Sequence, residues 1–267
     1  MTPPRVLPST TSHKHEPLVP TLEIFARLGM LDLDLNLNHL IERGVGVESV
    51  KAALDAGRQR AWMVSGGWCD FYHNAPQIEE TFRSVDRQVA IAVELGVNRM
   101  RLFFGRLKRE DCSAHALATV AGNIRRLADR YPEIQFVFEN HDGASSNPEI
   151  CRQILEAVSR PNIRLNFDPI NFEHAGVDSM DALRELLPLI GHVHLKGLDR
   201  GGFCEFGTGD VDLMPVLRSL LAGGYRDAFT VEYEGTFDRT LRLYQSTQRA
   251  RAVLNDLWDA APAEPRP

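Results

Sequence analysis

Polar and apolar side chains alternate without a break in the segment Gly191–Gly197, which reads GHVHLKG. Successive side chains of a β-strand point to opposite faces, so His192, His194 and Lys196 share one face and apolar residues occupy the other. A strand in an ordinary α/β sheet is covered by helices on both faces and is apolar on both. This segment instead predicts a strand with one helix-covered face and one polar, enclosed face.

The same alternation recurs in three other segments, at 134–141, 163–168 and 229–234. In each of them, one face becomes more polar towards the carboxyl end of the strand. Closed parallel barrels have this distribution, because their active sites lie at the carboxyl ends of the strands. We therefore predict a (β/α)8 barrel, or TIM barrel, in which four side chains converge: Glu139, Asp168, His194 and Glu232.

Strands and helices are predicted to alternate along the whole chain, which is the order that a parallel sheet requires. The predicted strands span 5–8, 31–38, 60–65, 99–104, 134–141, 163–168, 191–197 and 229–234. The predicted helices span 18–28, 47–56, 78–95, 114–130, 148–159, 180–187, 211–222 and 241–257. Asn147 is the expected N-cap of the helix that begins at 148.

The length of 267 residues is close to the roughly 250 residues of one such barrel. We therefore expect a single domain over residues 1–267, with loose tails at 1–4 and 260–267. The segment 10–20 is expected to be a solvated loop at the barrel mouth, and it carries His13 and His15.

Composition restricts the partners of the chain. The formal net charge of −6 disfavours a nucleic-acid partner, whose phosphate backbone calls for clustered lysine and arginine. The four cysteines are scattered and form no CxxC pair, so we expect reduced thiols and no zinc cluster. No apolar run approaches the length of a membrane span and no secretory signal is recognisable, which predicts a cytoplasmic protein without a membrane partner.

The predicted cluster at the barrel mouth combines three carboxylates with one imidazole. Such a mixed oxygen and nitrogen set suits one divalent ion, with Mn²⁺ expected and Mg²⁺, Co²⁺ or Zn²⁺ as alternatives. Without a cation, three crowded carboxylates would repel one another and their pKa values would rise. The alternative is an ordinary buried salt bridge or hydrogen bond for each residue, which explains one strand-end glutamate better than four residues on four consecutive strands.

Five short segments resemble one family of barrels. They read FENH at 138–141, NFDPIN at 166–171, HVHLK at 192–196, GTGDVD at 207–212 and VEYE at 231–234. Together they resemble the xylose isomerase-like TIM barrels, which are sugar phosphate isomerases and epimerases related to ketose 3-epimerases, inosose dehydratase and endonuclease IV. The resemblance is strong over 134–235 and vague over 1–130.

The resemblance to the ketose 3-epimerases implies that the four converging residues bind the metal. It also implies that Glu139 and Glu232 are catalytic and exchange protons with the substrate on opposite sides. Glu234 shares the parity of Glu232 and is the alternative ligand; Glu232 is preferred because it aligns with the strand-end glutamate of the family. Arg200 matches an arginine that grips substrate oxygens, and Asn171 stands where many members carry a histidine.

Three further residues are candidate substrate contacts. Lys196 faces inward by parity, and either neutralises an oxyanion or forms a rim salt bridge with Asp199 or Glu234. His141 and Trp68 are candidate sugar contacts, and packing around the site is the alternative for both.

The reaction that this resemblance implies is isomerisation or epimerisation of a small ketose, keto-sugar or cyclitol. A proton next to the carbonyl is removed, and a metal-stabilised enediolate results. A lyase, such as an inosose-type dehydratase or an enzyme of β-elimination from a keto-glycoside, uses the same first step and remains open. An abasic-site endonuclease-like hydrolase and a non-catalytic sugar-binding barrel are remote alternatives. No obligatory phosphate is expected, because Asp210 and Asp212 follow the turn 207–209, and a homo-oligomer is left open.

Overall fold

The computed structural model describes residues 3–74 and 76–260. In this part of the chain, eight parallel strands form a nearly closed barrel with helices around it, as predicted. The barrel strands are β1 (Val6–Pro8), β2 (Asp32–Asn36), β3 (Arg60–Ser65), β4 (Arg99–Phe103), β5 (Gln135–Glu139), β6 (Ile163–Phe167), β7 (Ile190–Leu195) and β10 (Phe229–Val231). Hydrogen-bonded neighbours follow the order β1, β10, β7, β6, β5, β4, β3, β2.

Helices cover the outside of this barrel and short elements lie at its ends. The α-helices are α1 (Leu18–Arg27), α2 (Asn38–Ile41), α3 (Val47–Gly57), α4 (Gln77–Glu94), α5 (Ala114–Arg130), α6 (Pro148–Val158), α7 (Pro169–His174), α8 (Ser179–Leu186), α9 (Met214–Ala222) and α10 (Arg239–Ala260). Short 3-10 helices span Thr10–His13, Arg109–Asp111, Gly143–Ser146 and Leu187–Leu189. After β7, the strands β8 (Gly197–Asp199) and β9 (Gly202–Cys204) form an antiparallel hairpin.

Two apolar cores support the barrel. The larger core lies between the strands and the helices. The smaller core lies inside the barrel towards the amino-terminal ends of the strands, where Trp62 packs against a buried cluster of Leu7, Met63, Val137 and Ala228. The guanidinium groups of Arg5 and Arg60 lie 4.3 Å and 4.6 Å from the centroid of the Trp62 ring. Apolar side chains therefore fill one end of the interior, and the polar residues lie at the other.

The barrel closes between β1 and β2 through a seam that relies on side chains. One backbone bridge, from Ser9 to Asp34, is recorded there among the described residues. The Asp34 carboxylate is fully buried and accepts hydrogen bonds from Ser9 Oγ at 2.9 Å and from Ser65 Oγ at 2.8 Å. One carboxylate thus connects β2 with β3 and with the residue that follows β1.

All predicted strands and helices are present, with ends that differ by a few residues. Asn147 caps α6 as predicted, since its side chain accepts a hydrogen bond from the Glu149 backbone N–H. The structure adds α2, α7 and the β8–β9 hairpin, which were not predicted. The three additions are short, so their side chains give too few repeats for a periodic pattern.

The prediction of a solvated loop at 10–20 is wrong for His13. Its side chain is buried, its ring meets Phe25 edge-on at 5.1 Å, and Nε2 lies 3.1 Å from Thr240 Oγ1. The segment is ordered because Ser9 caps the 3-10 helix Thr10–His13 by accepting the Thr11 N–H. His15 is exposed, as predicted.

The predicted loose tails lie partly outside the described residues, which exclude 1–2 and 261–267. Pro4 is buried, and Ala260 is the last residue of α10. Among the described helices, not one combines the length and the hydropathy that a membrane span requires.

Candidate metal centre and cavity

Glu139, Asp168, His194 and Glu232 converge at the carboxyl ends of their strands. All four side chains are buried, and each offers a ligand atom within 4.8 Å of the others. His194 Nδ1 lies between two glutamates, 3.4 Å from Glu139 Oε1 and 3.6 Å from Glu232 Oε1. The strand alternation explains this arrangement, because the polar parity of each strand faces the barrel interior.

The cluster contains polar atoms without hydrogen-bond partners. Within the described residues, neither ring nitrogen of His194 makes a hydrogen bond, and Glu232 Oε1 makes none. Buried polar groups are nearly always paired, so several unpaired donors and acceptors at one point call for a missing partner. A divalent cation with oxygen and nitrogen ligands satisfies all of them at once, and these four residues could hold it.

The charges of the cluster shift one another's pKa values strongly. Burial lowers the pKa of His194, but the carboxylates of Glu232 and Glu139 outweigh burial and raise that pKa to about 10. Burial acts against the charged form of Glu139, yet His194 and Arg101 lower its pKa to about 2. His194 also holds the pKa of Glu232 well below its usual range against the effect of burial. The glutamates are therefore carboxylates at neutral pH.

Asp168 is fixed more firmly than the other cluster residues. It is the N-cap of α7, where Oδ1 accepts the Asn171 N–H at 3.0 Å and Pro169 occupies the first turn. Its backbone N–H donates to Asn140 Oδ1, and Asn140 Nδ2 donates to the Asp168 carbonyl oxygen, both at 2.8 Å. Burial raises the pKa of the Asp168 carboxyl, and Lys196 offsets part of that rise. The cap leaves Oδ2 directed to the cluster and to Lys196.

Lys196 is buried beside the cluster and is already paired. Its Nζ lies 2.6 Å from Glu234 Oε1 and 3.1 Å from Asp168 Oδ2, and 4.3 Å from the centroid of the Phe203 ring. Burial lowers the pKa of Lys196, but Asp168 and Glu234 outweigh it and raise the pKa above its ordinary value. Of the two salt-bridge partners predicted for Lys196, the structure gives Glu234, while Asp199 is exposed. Glu232 is the glutamate within the cluster.

The two glutamates of the cluster differ in their surroundings. Glu139 has a partner at each oxygen: Asn171 Nδ2 lies 3.3 Å from Oε1, and Arg101 Nε lies 3.2 Å from Oε2. Glu232 has no hydrogen-bond partner at Oε1 among the described residues. Glu139 is thus held from both sides, and Glu232 is less constrained.

A cavity of about 290 Å³ opens above the cluster. Its lining includes Glu139, Glu232 and Lys196. The volume of this cavity is close to the lower limit of the roughly 300–1,000 Å³ that ligand pockets have. Trp68 and His141 line it as well: the Trp68 ring stacks on Phe103 at 4.2 Å, and His141 meets Trp68 edge-on at 5.3 Å. This size suits a small-molecule ligand.

Glycines bring the backbone close to this cavity. Gly66 and Gly67 precede Trp68, and a Cβ on Gly67 would lie 2.6 Å from Asn38 Oδ1. A Cβ on Gly66 would lie 2.5 Å from Gln88 Oε1, the atom that accepts the Gly67 N–H. A Cβ on Gly66 would also lie 2.8 Å from Leu102 Cδ2 and 3.1 Å from the Arg101 carbonyl oxygen, so glycine lets the loop that carries Trp68 approach β4 closely at this position.

Arg200 and Asn171, both predicted substrate contacts, do not line the cavity. Arg200 is exposed at the turn of the β8–β9 hairpin, where its φ is 49°, and it does not line the cavity. The hairpin, which was not predicted, carries the arginine away from the cluster. Asn171 is buried next to Glu139 and Asn140, so it supports the cluster and does not line the cavity.

Several residues that line the cavity were not predicted from the sequence, among them Lys14, Arg101 and Phe203. The alternation of residues 99–104 could have identified Arg101, because it shares a face with Arg99 and Phe103. Lys14 and Phe203 are carried by irregular or short elements, and their sequence offered no comparable signal.

The fold and the cluster define the class of protein, a TIM barrel with a candidate metal centre at the carboxyl ends of its strands. Residues 28–254 match the family model of the xylose isomerase-like TIM barrels, and the chain belongs to that family. The predicted resemblance is therefore confirmed.

Several curated relatives of the chain are named as dehydratases. The chain is 22% identical over 128 residues to 3-dehydroshikimate dehydratase of Bacillus anthracis, a match that covers 47% of this chain and 46% of the relative. It is 30% identical over 122 residues to inosose dehydratase of Mesomycoplasma hyopneumoniae strain 7448, with coverage of 38% and 41%. The chain thus spans less than half the length of these curated relatives.

Solved structures share the fold over nearly the whole chain. L-ribulose 3-epimerase superposes with a TM-score of 0.80 at 14% identity, covering 100% of both chains. A barrel protein from Mycobacterium smegmatis in complex with magnesium gives a TM-score of 0.78 at 16% identity, with coverage of 96% and 98%. The IOLI protein with a bound zinc atom superposes with a TM-score of 0.79 at 16% identity, covering 96% of this chain and 98% of that protein. At these identities the likeness supports the fold alone.

Proposed function

We propose that this chain is a divalent-metal-dependent isomerase or epimerase that acts on a small ketose, keto-sugar or cyclitol. The observation that carries the proposal is the placement of Glu139 and Glu232. Both carboxylates line one small cavity, and both lie next to the same buried imidazole, His194. Such a pair could remove a proton from a substrate carbon and return it.

Glu139, Asp168, His194 and Glu232 would hold the metal. When bound there, a divalent ion would polarise the carbonyl of the substrate and make the neighbouring C–H acidic. Mn²⁺ is the ion we propose. The unpaired atoms of His194 and Glu232 support a metal at this position, and Mg²⁺, Co²⁺ and Zn²⁺ are the alternative ions.

The proton transfers and the substrate contacts are assigned to individual residues of the chain. Glu232 is the less constrained carboxylate, so we assign to it the removal of the proton. In an epimerase, Glu139, held by Arg101 and Asn171, would take up a proton from solvent and give it to the other face of the substrate, while Glu232 would release its proton to solvent. Lys196 keeps Asp168 and Glu234 in place. Trp68 and His141 would contact the apolar face of a sugar ring.

A metal-dependent lyase is the second candidate function. Both curated relatives described above are named as dehydratases, and the two glutamates are not equivalent in their surroundings. Elimination begins with the same removal of a proton by Glu232 and continues with the loss of a leaving group, so a single unconstrained base is sufficient.

Incubation of the metal-loaded protein in D₂O with ketoses, inososes and 3-keto-glycosides, followed by NMR, tests both candidates. Deuterium at the carbon next to the carbonyl indicates removal of the proton. An otherwise unchanged mass indicates an isomerase or epimerase, and loss of water or of an aglycone indicates a lyase. If no carbonyl compound exchanges, the proposed function is wrong.

Three further expectations concern the ligand class, the location and the assembly of the protein. The cavity is lined by three carboxylates, Glu139, Glu232 and Glu234, which disfavours a nucleic-acid ligand. We also propose a cytoplasmic location, and a homo-oligomer stays an open alternative to a monomer.

A further inference from the structure

Arg101 has hydrogen-bonding capacity that its contacts in the protein do not use. The side chain is 3% exposed and lines the cavity. Nε faces Glu139 Oε2 at 3.2 Å, and Nη1 donates to the Gly66 carbonyl oxygen at 3.3 Å. Nη2 makes no hydrogen bond to a described residue. Nε is fully buried, whereas Nη2 is accessible from the cavity. A guanidinium carries five N–H donors, so a structural role towards Glu139 leaves one edge free.

The guanidinium is also held in a fixed plane. It lies 4.3 Å above the centroid of the Phe103 ring, and Phe103 in turn stacks on Trp68 with an angle of 18° between the rings. A planar group locked in this way loses little conformational entropy when it binds a ligand. The free edge of Arg101 is therefore preorganised.

The other two cations of the cavity are less suited to the same task. Lys196 already pairs with Asp168 and Glu234. Lys14 lines the cavity but is exposed, and its single ammonium group has no fork geometry. Arg101 is thus the cation that combines burial, a fixed plane and an unused edge.

We propose that the free edge of Arg101 binds a carboxylate of the substrate, so that the substrate class is a small polyhydroxylated carbonyl compound with one carboxylate group. This inference rests on the proposed function, since it names the ligand of the same cavity. The planar guanidinium matches the planar carboxylate. A phosphate ester carries up to two negative charges and would lie near Glu139, Glu232 and Glu234, so repulsion disfavours it.

The test compares ligands that differ by one group. Fructose, fructuronate and fructose 6-phosphate are titrated by calorimetry into the Mn²⁺-loaded protein, and the same compounds are followed for deuterium exchange. We expect fructuronate to bind at least tenfold more tightly than fructose. In Arg101→Gln this preference disappears, a loss of about 10- to 100-fold that corresponds to a charge-assisted hydrogen bond. Arg101→Lys keeps the charge beside Glu139 and retains only part of the preference.

Arg106→Gln is the matched control. Arg106 is an exposed arginine 5.2 Å from the centroid of the Trp68 ring, so the change removes a nearby positive charge outside the cavity. It should leave the preference unchanged. Metal content and circular dichroism are measured for each variant. If Arg101→Gln does not fold, the comparison is made with Arg101→Lys instead.

Three results would overturn the assignment of Arg101. They are equal binding of fructose and fructuronate, a preference that survives in Arg101→Gln, and tighter binding of fructose 6-phosphate than of fructuronate. If fructose exchanges deuterium and the protein binds fructose and fructuronate equally well, the proposed function stands and this inference fails. If fructuronate binds through Arg101 and no compound exchanges, the inference stands and the proposed function fails.

Discussion

The two ends of the barrel interior use charged residues differently. At the amino-terminal end, Arg99 donates from Nη1 and Nη2 to both oxygens of Asp227, at 2.7 Å and 2.6 Å. At the carboxyl end, both ring nitrogens of His194 and one oxygen of Glu232 lack hydrogen-bond partners among the described residues. The barrel thus has a satisfied ion pair at one end and unsatisfied buried charges at the other.

This difference indicates how the barrel separates stability from function. The amino-terminal end is filled by the inner apolar core around Trp62, and its charges need no ligand. The carboxyl end carries charges whose burial is costly without a cation. Substitutions at the two ends should therefore have different consequences, and the following predictions test this, beginning with the largest expected effect.

Glu232→Gln should reduce deuterium exchange by roughly 10²- to 10⁴-fold, because the amide keeps the shape of the side chain and cannot accept the proton. After treatment with a chelator, the melting temperature of the variant should stay close to that of the chelator-treated wild-type protein. Exchange is measured by NMR in D₂O on metal-loaded protein. Glu234→Gln is the control, since it removes a partner of Lys196 outside the cluster. An active Glu232→Gln together with an inactive Glu234→Gln would assign the base to Glu234 instead.

Mn²⁺ should stabilise the fold by about 2.7 kcal/mol when its concentration is one hundred times the dissociation constant. The free energy of unfolding is measured in urea with Mn²⁺ and with a chelator. His194→Gln should lose this stabilisation, whereas Arg99→Leu, at the other end of the barrel, should keep it. Equal stabilisation of both variants would place the ion outside the cluster.

Asp227→Asn should destabilise the protein by about 1–2 kcal/mol, since it removes a charge-assisted pair that is partly open to solvent. The side chains of Arg99 and Asp227 are 14% and 34% exposed, which keeps the effect below that of a fully buried pair. Deuterium exchange per folded molecule should not change. A large loss of exchange at full stability would contradict the separation of the two ends.

Asn171→Ala should have the smallest effect of the four, a loss of about fivefold in the exchange rate. Asn171 Nδ2 donates to the Asn140 carbonyl oxygen at 2.9 Å and to Glu139 Oε1 at 3.3 Å, and one such bond is worth about 1 kcal/mol. Exchange rates at several Mn²⁺ concentrations distinguish weaker metal binding from slower proton transfer. No change at any concentration would mean that Asn171 does not support Glu139.

The strands and the cluster could be predicted because both depend on a local rule. Alternation with a period of two residues assigns each side chain to a face, and the depth of a residue along its strand places Glu139, Asp168, His194 and Glu232 together. Once the barrel was recognised, the convergence of these side chains required no knowledge of loops.

The position of Arg200 and the partner of Lys196 could not be predicted in the same way. Arg200 depends on a hairpin whose strands contain only three residues each, too few for a pattern. The choice of Glu234 over Asp199 depends on side-chain distances between strands that are far apart in the sequence. Burial of His13 depends on packing against Phe25 and Thr240, and a short polar segment does not reveal such contacts.

The seam at Ser9 and Asp34 has a consequence for the motions of the barrel. β1 has a hydrogen-bonded ladder to β10 on one side, where Val6 lies opposite Phe229, and one backbone bridge on the other. Pairing residues so distant in sequence is slow, and elements held by few backbone bonds are the first to exchange their amide hydrogens in the native state. Thr11 and Lys14 follow β1 and line the cavity. Opening of the seam would therefore also displace residues that line one wall of the cavity.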